Sequence, residues 1–228
     1  NVNNRKVCNA LPQLAGIDPA QLFAVLRVID KIDKIGLSQA RIELSCDGND
    51  EIPEGLGLGK EKTDRILTMA QIDGTNDERL KQLHDLLCGI GVAEDGVAEL
   101  LQLLDYTRAM GVPDGIVTVK PSMVRGLEYY TGPVFEAVLA DAPEIGSIFG
   151  GGRYDNLVMS FTGQKIPAVG ASLGVDRLIA AMEKLGLTPP EKMSRTALVL
   201  NLDPALASEY QALGAQLRAA GIPTALYM

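Results

Sequence analysis

Tryptophan is absent from the 228 residues, histidine occurs once and cysteine three times. The lone His84 has no carboxylate or cysteine cluster at ligand spacing. Cys8, Cys46 and Cys88 are far apart, odd in number and form no CxxC. These scarcities argue against a disulfide framework and against a cysteine/histidine zinc site, and they make a reducing cytoplasm the expected compartment. No apolar run reaches the roughly 18 residues of a membrane span, and no signal-peptide pattern opens the chain. Positive charge is also short. Lys and Arg number 21 against 29 Asp and Glu, a net charge of −8, which argues against a uniformly basic nucleic-acid-binding surface. That deficit is local: residues 12–118 hold 19 acidic and 10 basic side chains, and the remainder sums to +1. A nucleic-acid contact elsewhere therefore stays open, because a local patch outweighs net charge.

What is present is globular in kind. Apolar residues make up 46% and charged residues 22%, enough for one large or two smaller domains around a substantial core. Residues 1–8 read as a strand. From Asp18 the helix signals agree: Asp18 as cap, Pro19 at the first position, Gln21 at capping-box spacing, and Leu22, Leu26, Ile29 and Ile32 as a buried stripe that Gly36 stops. Ser38 caps a short helix through Leu44, and residues 45–59 read as a loop. Helices follow at 60–71, 77–89 and 95–109, with Leu80, Leu83 and Leu87 as one stripe and Leu100, Leu101, Leu104 and Tyr106 as another. The period then changes. Residues 115–120, 128–139, 147–150 and 167–173 read as strands and 154–161 as a short helix, before a helix over 175–185. The fold class expected is α+β with an antiparallel sheet. After the linker at 188–194, a strand (196–202), a helix from Asp203 or Pro204 and a strand (222–227) make one βαβ unit, which cannot bury both faces of its sheet. Strand-like residues at both ends make the chain read as a fragment cut at each terminus.

The chemistry concentrates in residues 124–157. Gly55-Leu56-Gly57-Leu58-Gly59-Lys60-Glu61 lacks the spacing, the Ser/Thr and the preceding strand of a phosphate loop, so it reads as a flexible loop entering a helix. Arg125, before Gly126, is either a turn arginine or a fixed cation aimed at a carboxylate or phosphate. Tyr129 and Tyr130 are neighbours on an expected strand, so one faces inward and one outward. Gly150, Gly151 and Gly152 form either a loose hairpin end or a place where a ligand meets bare backbone. Arg177 lies on the first turn of a helix, where anions are already favoured.

These residues carry a resemblance. Arg125-Gly126-Leu127-Glu128-Tyr129-Tyr130-Thr131-Gly132 resembles the first histidine signature of histidyl-tRNA synthetases, with Glu128 in place of Asp. Gly151-Gly152-Arg153-Tyr154-Asp155 resembles the second. Gly170-Ala171-Ser172-Leu173-Gly174-Val175-Asp176-Arg177-Leu178 is similar to the third class II synthetase motif, and Asn3-Asn4-Arg5-Lys6 resembles the strand leaving the second. The resemblance implies a class II catalytic core from residues 1–11 and 113–187, a helical insertion from 12–112 that approaches the tRNA acceptor arm, and the start of an anticodon-binding domain at 195–228.

It also implies roles. Histidine and ATP would give histidyl-adenylate and pyrophosphate, and the histidyl group would pass to the 3′ end of tRNA(His). Arg125 would bridge the histidine carboxylate and the α-phosphate, as the catalytic group. Tyr129, Tyr130, Gly152 and Tyr154 would form the histidine pocket. Arg177 and Gly174, with Arg125, would hold ATP, accompanied by Mg2+. A homodimer is implied for the full-length protein, with no membrane attachment and no metal held by the protein itself. The family's first motif, its second-motif arginine and the acidic reader of the imidazole are not found, so this chain alone is expected not to complete catalysis. The alternative is a synthetase-like regulatory subunit of ATP phosphoribosyltransferase, which binds histidine without charging tRNA. A synthetase-like domain of a tRNA-sensing kinase and a non-binding structural domain rank below it, because the signatures are intact.

Overall fold

The computed structural model describes residues 1–47, 55–125, 129–188 and 196–227. They fall into two compact units, Asn1–Ala181 and Met182–Met228. Among the described residues no helix is long and apolar enough to cross a membrane.

The chain opens with a strand, β1 (Val2–Asn4), which is much shorter than its composition suggests. The reason is Asn4. Its backbone is extended, and its side chain accepts from the Lys6 N–H at 3.0 Å, which caps α1 (Arg5–Asn9). A second short helix, α2 (Leu11–Ala15), follows. Asp18 caps a 3₁₀ turn, Pro19–Gln21, that leads into α3 (Leu22–Ser45). Gly36 does interrupt the helix, with φ 77° and ψ 162°, and the chain resumes helical geometry beyond this kink. The loop expected over 45–59 is described at its two ends, where Asp47 and Leu56 form an antiparallel bridge. Residues 48–54 lie outside the described residues.

Helices α4 (Gly59–Ala70), α5 (Asn76–Leu87) and α6 (Gly91–Ala109) complete a helical module. A reciprocal capping box between Thr75 and Glu78 starts α5, and Leu80, Leu83 and Leu87 are buried as expected. The stripe expected on α6 needs correction. Leu100 and Leu104 are buried with Ala93 and Val97, but Leu101 is 48% and Tyr106 61% exposed. One residue advances about 100° around a helix, which carries Leu101 off the face that Leu100 shares with Leu104. The core joins these helices to β1 and α1 through Val2, Val7, Leu11, Leu26, Ile29, Leu67, Leu83 and Leu100. Helix α1 is fastened to α6 by polar contacts as well: Asn4 Nδ2 donates to Glu99 Oε2 at 2.7 Å, and Lys6 Nζ to Glu99 Oε1 at 2.8 Å. Gly96 permits this close approach, because a Cβ there would stand 3.1 Å from the Val7 backbone nitrogen.

Beyond the helices, β2 (Pro133–Val138), β3 (Ser147–Arg153) and β4 (Val169–Leu173) join β1 in a four-stranded antiparallel sheet, in the order β1-β2-β3-β4. The α+β class with an antiparallel sheet is therefore the observed one. Four expectations shift. Residues 115–120 contribute only a bridge from Val119 to Val2. The strand expected from 128 begins at Pro133, so Tyr129 and Tyr130 precede it, while Glu128 lies outside the described residues. Strand β3 runs through all three glycines instead of ending at the first. Helix α7 (Leu157–Thr162) is shorter than expected, and α8 (Val175–Lys184) follows β4 directly.

The second unit holds β5 (Ala197–Leu200), α9 (Ala207–Ala219) and β6 (Thr224–Tyr227), with β5 and β6 parallel. Gly214 is the buried point of α9, where a Cβ would stand 3.2 Å from Leu226. Val199 is buried, while Leu198, Leu200 and Tyr227 remain exposed, as two strands covered by one helix require.

Candidate active site

Side chains alternate across a sheet, so even-numbered residues of β2, β3 and β4 share one face. The register sets Val134, Gly152 and Gly170 in one row and Glu136, Gly150 and Ser172 in the next. The three glycines make a floor without side chains. What lies on it belongs to the protein. A Cβ at Gly150 would meet the Arg125 guanidinium carbon at 2.6 Å, and one at Gly152 would meet the Tyr130 ring at 2.7 Å. At Gly170 it would collide with the Tyr154 hydroxyl. The glycines thus admit Arg125, Tyr130 and Tyr154 close against the backbone. Gly151 points the other way, into the backbone of β4 at Gly170 and Ala171.

The tyrosines form one aromatic group. Ring centres lie 4.8 Å apart for Tyr129 and Tyr130, 5.6 Å for Tyr129 and Tyr154, and 6.5 Å for Tyr130 and Tyr154. Tyr130 is buried with Met123 and Val134, and Tyr129 faces solvent, the inward–outward split that adjacency implies. Desolvation, and then the contact with Tyr130, hold the Tyr129 phenol above its ordinary pKa. The two signature stretches are laced together: the Thr131 N–H donates to Arg153 O at 2.8 Å, and the Asp155 N–H to Thr131 Oγ1 at 3.0 Å. Arg153 is occupied by Asp155, Nε to Oδ1 at 2.9 Å, and this hydrogen bond lowers the Asp155 pKa. Arg153 is therefore structural in this arrangement.

Arg125 is three-quarters buried, and its Nη1 stands 3.8 Å from Glu136 Oε2. Both residues line an open cleft of about 910 Å³ that also reaches Arg177, Asp30, Asp33 and Lys34. Arg177 is anchored there by donating Nη1 to Ser147 O at 2.8 Å. The pKa of Asp30 is raised by desolvation and then by the charge of Glu136, against the opposing pull of Lys34 and Arg125. Asp33 is paired with Lys120. The structure thus unites Arg125 with Arg177 in one cleft, and Arg125 with Tyr130, Tyr154 and Gly152 on one glycine floor. Tyr129, Tyr130 and Tyr154 are not part of the cleft lining. Gly174 spends its N–H on Ile148 O at 2.7 Å and its carbonyl on the Leu178 N–H at 2.9 Å, so its backbone serves the junction of β4 and α8.

Sequence reasoning missed Glu136, Asp30 and Thr131. Glu136 carried a signal, an acidic residue inside an expected strand beside the triple glycine. Asp30 carried none, being 95 positions away from Arg125. Among the described residues no group of three His, Cys, Asp or Glu side chains is disposed to hold a metal.

Comparison with known proteins fixes the family. A profile described as histidyl-tRNA synthetase matches residues 2–178. The chain belongs to the histidyl-tRNA synthetase family. It is 41% identical over 242 residues to the histidine–tRNA ligase of Paracoccus denitrificans, covering 100% of this chain and 48% of that protein. Among solved structures, the histidyl-tRNA synthetase from Nostoc sp. PCC 7120 matches with a TM-score of 0.73 and 34% identity, over 100% of this chain and 52% of that one. A protein described as an ATP phosphoribosyltransferase regulatory subunit/histidyl-tRNA synthetase, from Bacillus halodurans, matches with a TM-score of 0.62 at 19% identity, covering 99% of this chain and 52% of that chain; this shows a shared fold alone. The chain spans about half the length of the curated relatives it matches. Gly150 and Gly152 are then explained, in this member of the family, by the Arg125 and Tyr130 side chains that rest on them.

Proposed function

We propose that this chain supplies one wall of a histidine-activating site, in a protein that joins histidine to tRNA(His) at the expense of ATP. The observation that carries the reading is the convergence of Arg125 and Arg177 on one cleft, with the tyrosine group beside Arg125 on the same floor. In the first step a histidine carboxylate oxygen attacks the α-phosphorus of ATP and pyrophosphate leaves. Negative charge grows on the α-phosphate oxygens, and a guanidinium already held against Gly150 stabilises it without reorganisation. Arg125 is the catalytic residue in this scheme and contacts both the carboxylate and the α-phosphate. Tyr129, Tyr130, Gly152 and Tyr154 take the histidine, with phenol oxygens available to the imidazole. Arg177, tethered by Ser147, holds the ATP tail or stacks on adenine, beside Gly174. In the second step a 3′-terminal ribose hydroxyl of the tRNA attacks the adenylate carbonyl and AMP leaves.

Mg2+ would travel with the ATP phosphates as part of the substrate and neutralise their charge. Residues 1–11 and 113–187 are the catalytic-core part, 12–112 the helical insertion, 188–194 the linker and 195–228 the start of the anticodon-binding domain. A cytoplasmic location and a homodimer of the full-length protein complete the reading.

The test is charging of tRNA(His) by the full-length protein, beside Arg125→Ala. The reading requires histidine- and ATP-dependent charging in the parent and a loss on the order of 10²- to 10³-fold in the variant. A parent that binds histidine and never charges tRNA would instead be a regulatory subunit.

A further inference from the structure

Arg5 is out of place for a structural residue. It is 4% exposed, yet among the described residues no carboxylate lies within 4.0 Å of its guanidinium. A buried cation without a counter-ion is costly, and an apolar side chain of similar length would pack there more cheaply. Helix α1 does not need the charge. Asn4 caps it, and Lys6 ties it to Glu99 on α6.

Three contacts show what Arg5 does instead. Its guanidinium carbon stands 5.3 Å from the centre of the Phe23 ring, which comes from α3 of the helical module. Its Nη1 makes a long donor contact of 3.5 Å to the carbonyl oxygen of Arg125. Its own backbone N–H, one of the donors that a helix start leaves unpaired, goes to Gly132 O at 2.9 Å. One residue therefore holds the backbone at Arg125 with its side chain and at Gly132, just beyond Tyr129 and Tyr130, with its own N–H.

We propose that Arg5 is a positioning residue that clamps the backbone at Arg125 and at Gly132, so that the Arg125 guanidinium rests on Gly150 in the cleft, with Phe23 linking that clamp to the helical module. This rests on the activation reading of Arg125.

The test compares Arg5→Met, Arg5→Lys, Phe23→Leu and the parent in the full-length protein. The assays are histidine-dependent ATP–pyrophosphate exchange, thermal unfolding, and labelling of Arg125 by an arginine-specific dicarbonyl read by mass spectrometry. Arg5→Met is expected to lower kcat by roughly tenfold or more with KM changed less than about twofold, and to keep the parent's melting temperature or raise it. Arg5→Lys, which keeps the cation and loses the planar fork, recovers part of that kcat. Phe23→Leu moves kcat the same way by less. Arg125 is labelled faster in Arg5→Met than in the parent. A purely structural Arg5 gives the opposite pattern, a lower melting temperature with kcat preserved, and that result overturns the proposal. If Arg5→Met does not fold, the labelling rate in Arg5→Lys and Phe23→Leu decides: unchanged rates overturn the clamp. If the parent shows no exchange, the activation reading fails, and the labelling comparison still decides whether Arg5 fixes Arg125.

Discussion

Gly150→Ala should separate catalysis from stability. Gly150 sits in β3 with an ordinary backbone conformation that alanine adopts freely, so the only obstacle is space. The new methyl would lie 2.6 Å from the Arg125 Cζ and Nη1 and 2.7 Å from its Nη2. Ordinary contact begins near 3.4 Å, so the guanidinium must retreat by about 0.8 Å. It is the free end of a long side chain, and it can swing. The fold should hardly notice, because alanine also restricts the unfolded chain, by about 0.4–1 kcal/mol. Stability should stay within about 1 kcal/mol of the parent. Catalysis should notice. A displacement near 1 Å of a group that stabilises a transition state costs on the order of 10²-fold in rate, or about 2.7 kcal/mol of barrier.

Gly151→Ala is the control one position away. Its methyl would run into the Gly170 carbonyl and come within 2.7 Å of the Ala171 Cα, both backbone atoms of β4. Relief there means opening the β3–β4 ladder, at a cost of about 1–3 kcal/mol or more. Chemical denaturation and pyrophosphate exchange, run on both variants in the full-length protein, give the comparison. The reasoning is refuted if Gly150→Ala keeps the parental exchange rate, or if it destabilises the fold as much as Gly151→Ala.

Other substitutions test the packing. Leu100→Ala should cost about 2–5 kcal/mol in denaturant unfolding, whereas Leu101→Ala, on the exposed side of α6, should stay near ±0.5 kcal/mol. Thr75→Ala removes the cap of α5 and should cost about 1 kcal/mol at neutral pH. Hydrogen bonds from the Thr75 backbone and hydroxyl lower the Glu78 pKa, so this carboxylate contributes stability above its unfolded pKa and loses it as pH falls through the folded one. The gap between parent and Thr75→Ala should accordingly narrow in acid, as melting curves taken below about pH 4 would show. Burial pushes the Cys8 thiol up to about 11, while Cys46 and Cys88 are exposed. A disulfide reagent at pH 8 should modify Cys46 and Cys88 promptly and reach Cys8 only on unfolding. The neutral thiol is the form the fold prefers, so stability should decline as pH rises from about 9 towards 11.

What the sequence disclosed, and what it concealed, follows from the range of the interactions. Helix stripes such as Leu80, Leu83 and Leu87 were legible because their partners recur within one turn. So was the kink at Gly36, because φ 77° belongs to glycine locally. Segment 125–155 was legible as chemistry because arginine, paired tyrosines and glycines are unusual together, but the side chains that rest on the glycines were not. A triple glycine says that something approaches the backbone; it does not say what. Here Arg125 rests on Gly150, Tyr130 on Gly152 and the backbone of β4 against Gly151, placed by strand register that no local pattern specifies. Asn4 misled for a related reason: its side chain turns a strand-like run into a capped helix after three residues, a competition between side chain and ladder that composition does not reveal.

Arg5 is the extreme case. Read in sequence, it is one basic residue beside a lysine in Asn3-Asn4-Arg5-Lys6, a run that resembles a family strand but gives Arg5 no role of its own. In space it is a buried cation touching a ring 18 positions on and a carbonyl 120 positions on. Charge burial with no counter-ion among the described residues is invisible to any one-dimensional pattern, yet it is the observation that most strongly demands a reason beyond folding. The candidate site was therefore unequally legible: Arg125 and the tyrosines stand in a chemically unusual run, while a residue that holds them in place need only be near them in space.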